Sequence, residues 1–155
     1  MLTYATFKML HVLGVVIFLG NIIVTGVWKY RADVTGRPEV IAFAQRLVTL
    51  TDWVFTLGGV VLILIGGFGM IGVGGLDIRT TSWVKIGLTL FLASGVIWAA
   101  VLIPIQIAQA GIARTFEHGG EIPERYWRLN RHWYIWGSLA TILPLLNIYV
   151  MIGKP

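Results

Sequence analysis

Trp53-Val-Phe-Thr-Leu-Gly-Gly-Val-Val-Leu-Ile-Leu-Ile-Gly-Gly-Phe-Gly-Met70 is a stretch of eighteen residues without a charge. A helix needs roughly 20 predominantly apolar residues to cross the hydrocarbon of a bilayer, so this stretch reads as the heart of a membrane span. Three more runs share its character. One covers residues 4–28 and is broken by Lys8, His11 and Asn21. Another covers 83–109, with Pro104 inside it, where a kink or an end is expected. The last covers 131–152, with Pro144 as a second expected kink. Ahead of Trp53, Pro38-Glu39 is a helix-start signal. Residues 40–51 mix Gln45 and Arg46 with apolar side chains and are expected at or near the interface, within a span over 40–70. The glycine-rich segment 66–75 is expected to end that span. The first run is too long for the apolar core of a signal peptide and lacks an A-x-A-like cleavage site, so it reads as a retained helix. The expected fold is all-α: a bundle of four transmembrane helices forming a single integral membrane domain over residues 1–155.

Composition agrees. The 155 residues are 57% apolar and 12% charged, against about 25% charged in soluble domains. A soluble globule of this size could not cover its surface with so few charges. The absence of cysteine excludes disulfides, thiolate metal sites, iron–sulfur clusters and covalent c-type haem. The net charge is +5, and the 12 basic residues are unevenly spread. Lys29, Arg31, Arg37, Arg46, Arg114, Arg125, Arg128 and Arg131 belong to one side, and Lys8, Arg79, Lys85 and Lys154 to the other. The positive-inside rule puts the richer side in the cytoplasm and both termini outside. Tyr4, Trp83 and Tyr149 are expected in the outer aromatic belt; Trp28, Tyr30, Trp53, Trp127 and Trp133 in the inner one. The charge is thus accounted for by orientation in a bilayer, with no call for nucleic acid as a partner.

A two-plus-two parallel repeat is suggested by two matches. Gly14-Val-Val-Ile-Phe18-Leu-Gly20 resembles Gly87-Leu-Thr-Leu-Phe91-Leu-Ala93, and Asp52-Trp53 resembles His132-Trp133.

Ionisable groups inside a bilayer are costly and point to function. His11 sits about 10 Å along the first helix from Tyr4, at 1.5 Å per residue, in the outer half. Gly14 shares its face. That arrangement gives a flat cofactor room beside an imidazole; it equally suits a histidine bonded to a neighbouring helix and a glycine used for close packing. Lys85 and Lys8 lie on the same outer side, where they either reach a shared site or snorkel to the interface. Met70 is a further possible haem ligand, or simply fills space. Asp52 and His132, at the inner helix ends, either form a proton or quinone-headgroup site and serve as weak catalytic candidates, or anchor the helices by pairing with each other, Arg46 or Arg131. His118 reads as solvated. His11 lies most of a bilayer away from His118 and His132, which excludes a bis-histidine haem at one depth within one chain.

Several motifs resemble a known group. Lys8-Met-Leu-His11-Val-Leu-Gly14-Val-Val-Ile-Phe-Leu-Gly20 is similar to the first helix of small four-helix bacterial membrane proteins, including HemJ-type protoporphyrinogen oxidases and CopD-like proteins. Trp83-Val-Lys85 resembles the start of the HemJ-type third helix, and Arg128-Leu-Asn130 with the terminal Lys154-Pro155 resembles its last helix. The resemblance implies that His11 and Lys85 form a haem b-binding pair. Arg131-His132-Trp133 and Ile97-Trp98 depart from the oxidase pattern. Trp28-Lys29, Thr51-Asp52-Trp53-Val-Phe-Thr56, Gly95-Val-Ile-Trp98 and Ile103-Pro104-Ile-Gln106 bring the chain closer to a related group of predicted integral membrane proteins of unknown function.

The expectation is an integral haem b protein of a bacterial cytoplasmic membrane. His11 is the iron ligand and Lys85 a second ligand or propionate partner, with Gly14 and Gly87 giving room. It would exchange electrons with a quinone, a porphyrin or a protein partner. The alternatives are a non-catalytic accessory subunit of a larger membrane complex and a CopD-like metal or solute permeation protein. Gly95 and Ala99 form a small-residue pair suited to an internal or a homo-oligomer interface.

Overall fold

In the computed structural model, which describes residues 3–155, the chain forms four long helices and no strand among the described residues. They are α1 (Tyr4–Val34), α2 (Pro38–Gly74), α3 (Ser82–Ala113) and α4 (Glu124–Gly153), each long and apolar enough to cross a membrane. Their boundaries follow local chemistry. The Thr3 hydroxyl accepts from the Thr6 N–H and caps α1, satisfying one of the free amides at its start. Pro38, which has no N–H to leave unsatisfied, opens α2. Gly75, at φ +63°, closes it in the left-handed conformation that a side chain disfavours.

All four helices exceed their expected spans. At about 1.5 Å per residue, the 37 residues of α2 reach roughly 55 Å, beyond the 40–45 Å of a whole bilayer. The extra length is packed within the bundle. Ile41 and Ala42 are fully enclosed with Ala113, Phe116 and Tyr126, and Phe116 meets Tyr126 edge to face at 5.3 Å. Residues 40–51 therefore run unbroken into the apolar stretch.

α2 ends inside the glycine-rich segment 66–75, at its far end. The helix continues to Gly74 because these glycines are its contact face toward α1. A Cβ on Gly66 would strike the backbone of His11, and one on Gly69 would strike the Phe7 ring.

α1 packs chiefly on α2, and α3 on α4. The two glycines matched by the suggested repeat are close-approach points in their respective hairpins. A Cβ on Gly14 would lie 2.7 Å from Ile63 N and 2.8 Å from Gly59 O. The space beside Gly87 is taken by Met151 and Asn147 of α4. Gly14 thus makes room for α2 backbone and not for a cofactor, a correction to its expected role.

Both middle helices contain one wide π-turn, Asp52–Thr56 in α2 and Trp98–Leu102 in α3. In α3 the Ile103 N–H reaches back to Trp98 O, and Pro104 follows at once. A proline has no N–H and its ring crowds the carbonyl four residues back; the wide turn absorbs that conflict and the helix resumes. Pro144 is buried inside α4. The outer faces carry exposed Val16, Val27, Ile65, Val96, Leu146 and Tyr149, as a lipid-facing bundle requires. Trp133 is not part of an aromatic belt: it is 8% exposed and packs with Val48, Leu102 and Ala140.

Candidate functional site

His11 lies in a seat built by two glycines of α2. Gly66 lets the backbones meet, and a Cβ on Gly67 would sit 3.3 Å from the His11 ring. The ring turns its Nδ1 to the carbonyl of Ile63, at 2.9 Å. A carbonyl can only accept, so Nδ1 carries the proton and Nε2 keeps its lone pair.

Beside this imidazole, between the two hairpins, lies a cavity of about 380 Å³. This falls within the range of small-molecule sites, about 300 to 1,000 Å³. α1 and α2 supply His11, Phe18, Ile63 and Gly67; α3 and α4 supply Gly87, Phe91, Asn147 and Met151. The lining is almost wholly apolar. Its polar exceptions are His11 and Asn147, whose amide donates to Gly87 O at 3.0 Å while its Oδ1 has no partner among the described residues.

The structure brings His11 and Gly87 together at this cavity. It does not bring Lys85 or Met70 there. Neither lines it, and the Lys85 side chain is exposed. Lys85 is one residue past Val84 and two before Gly87, both of which line the cavity. At 100° per residue it therefore faces away. Lys8 is also exposed.

A second, polar site occupies the half of the bundle nearer the arginine-rich end. The Asp52 carboxylate accepts hydrogen bonds from Gln106 Nε2 (2.5 Å), Thr56 Oγ1 (2.8 Å) and Asn21 Nδ2 (3.4 Å). The expected pairing of Asp52 with His132, Arg46 or Arg131 is corrected. Arg46 bonds Glu117 at 2.6 Å. His132 is exposed, with its Nδ1 2.9 Å from Arg128 O on its own helix, because its azimuth on α4 points outward. Arg131 is exposed as well.

Further toward the arginine-rich end, Lys29 is enclosed. Its Nζ bonds both Asp33 oxygens at 3.4 Å and the Tyr126 hydroxyl at 3.0 Å. It also lies over the rings of Tyr126 and Trp133. Asp33 further accepts from Asn130 (2.9 Å) and Tyr134 (2.8 Å), and Gln109 bonds Asn130. From the sequence, Lys29 counts only as one of the orientation charges, and this cluster goes unmarked. The available signal was Lys29 and Asp33 at i and i+4, with Gln106, Gln109 and Asn130 breaking otherwise apolar runs. His118 is exposed, 3.6 Å from Glu117.

These features define a four-helix integral membrane protein with an apolar, histidine-walled cavity in one half and a buried polar network in the other. The chain belongs to the family described as predicted integral membrane protein (DUF2269), whose model matches residues 5–155. No curated protein and no solved structure matches it.

Proposed function

We propose that the protein holds haem b in the outer cavity through His11 Nε2 and acts as a membrane redox protein, in line with the HemJ-like first helix. The observation that carries this reading is the bond from His11 Nδ1 to the Ile63 carbonyl. Such a bond fixes the tautomer and orientation of a metal-binding imidazole and raises its basicity. The donor set fits: the cavity excludes water with aliphatic and phenyl side chains, and offers a nitrogen ligand from one hairpin. Lys8, Lys85 and Lys154 are exposed at the outer end, where they suit the propionates better than the iron. Haem would supply one-electron exchange with a lipid-soluble or protein partner. Ile63 holds the imidazole, Gly66 and Gly67 give it room, and Phe18, Phe91 and Met151 shield the site from solvent. The same reading takes the arginine-rich end as cytoplasmic, in a bacterial cytoplasmic membrane, with both termini outside.

The test is the visible spectrum of the protein extracted in mild detergent. A Soret band is expected in the wild type and in His132→Ala, and is lost in His11→Ala. A colourless wild-type protein that still takes up a quinone would leave the cavity as a lipid-soluble ligand site and remove the haem.

A further inference from the structure

The polar half of the bundle contains a separate site that the haem reading does not use. A cavity of about 100 Å³ opens beside Asp52. A water molecule takes about 30 Å³ in the liquid, so the space admits about three. Both π-turns face it, through Asp52 and Thr56 on α2 and Trp98 and Leu102 on α3, and Tyr134 of α4 completes it. Two indole N–H groups of its lining, those of Trp98 and Trp133, have no partner among the described residues. Trp133 is nine-tenths buried. Water would satisfy such groups.

Asp52 differs from every other buried charge here. Lys29 and Asp33 neutralise each other, whereas Asp52 is bonded only by neutral donors. Of the side chains lining this cavity, α1 and α3 present none that titrates, and α4 presents only Tyr134. Along α1, Asn21 lies about 25 Å from Tyr4 at 1.5 Å per residue. The carboxyl it contacts is therefore still within hydrocarbon about 30 Å thick. π-turns are frequent at functional sites, and an acid at this depth without a cation is a functional group by default.

We propose that Asp52 is a proton-exchange carboxyl. Its proton passes to a water in the inner cavity, giving carboxylate and hydronium, and returns by the same route. Gln106 bonds one carboxylate oxygen and Thr56 the other, and an ionised carboxylate has further lone-pair positions at which the proton can add. Tyr134, bonded to Asp33 near the inner end of α1, links the cavity toward the arginine-rich surface. Phe18 lines both cavities, so the two sites share one wall residue.

The test is infrared spectroscopy of the full chain in lipid, with no added ligand. A protonated-carboxyl stretching band is expected to titrate with pH and to shift promptly in D₂O. It is lost in Asp52→Asn and kept in Asp33→Asn. Gly137 lines the cavity and has no atom within 4 Å of an added Cβ, so Gly137→Leu should fill the space and slow the shift without unfolding the bundle. A carboxyl band that survives Asp52→Asn unchanged, or a wild-type band inert to D₂O, overturns the proposal. Neither result depends on whether haem is bound.

Discussion

Lys29 shows how one enclosed charge organises its surroundings. Its ammonium has no exposure and is held by Asp33 and Tyr126. Removing one partner of such a pair leaves the other buried without compensation, which costs about 3–5 kcal/mol, whereas replacing both is far less damaging. Lys29→Met is therefore expected to destabilise the protein by about that amount in a detergent–urea unfolding series. Lys29→Met combined with Asp33→Asn should cost less than the sum of the single changes. Strict additivity would mean that the two groups act independently. His11 differs in kind: it lines an apolar cavity with one ring nitrogen engaged, whereas His132, bonded through the same ring nitrogen, is exposed on the surface. The position of His11 was legible from the sequence, since a histidine seven residues into an apolar run stands out. The seat that aims it was not, because Gly66 and Gly67 lie 55 and more residues away on another helix.

At the scale of elements, the α1–α2 contact is set by glycine. Gly14, Gly59 and Gly66 remove side chains where backbones meet. A Cβ on Gly14 would meet Ile63 N and Gly59 O, which cannot turn aside as a flexible side chain can. Gly14→Ala should cost about 1–3 kcal/mol through overpacking. Gly20 has nothing within 4 Å of an added Cβ, so Gly20→Ala should stabilise by about 0.5–1 kcal/mol through helix propensity. Thermal unfolding in one detergent compares the two; equal shifts would show that the contact is not glycine-limited. The sequence marked Gly14 as special but left its use open between cofactor and packing. The glycine-rich segment 66–75 does end α2, with Gly75 as its cap, but packing of Gly66, Gly67 and Gly69 against α1 keeps its first residues helical despite the low helix propensity of glycine.

For the whole molecule, the charge asymmetry makes a directional prediction. The chain has no cysteine, so single introduced cysteines report topology cleanly. With the arginine-rich end inside, Thr80→Cys in the α2–α3 connection should react with an impermeant maleimide in intact cells. His118→Cys in the α3–α4 connection should react only after permeabilisation. The reverse pattern would invert the orientation and place the polar network toward the outer face.

The number of crossings, their order and the charge-rich end were set by the sequence alone. Hydropathy is a sum over about 20 consecutive residues and needs no knowledge of how a helix is rotated or what it touches. Which polar groups share a cavity was decided by the tertiary structure. Lys85 and Gly87 differ by two residues yet face different surroundings, and Asp52 found Gln106 and Asn21 instead of His132. Azimuth and partner determine whether a side chain meets lipid, a neighbouring helix or a cavity, and both arise only when four helices settle against one another.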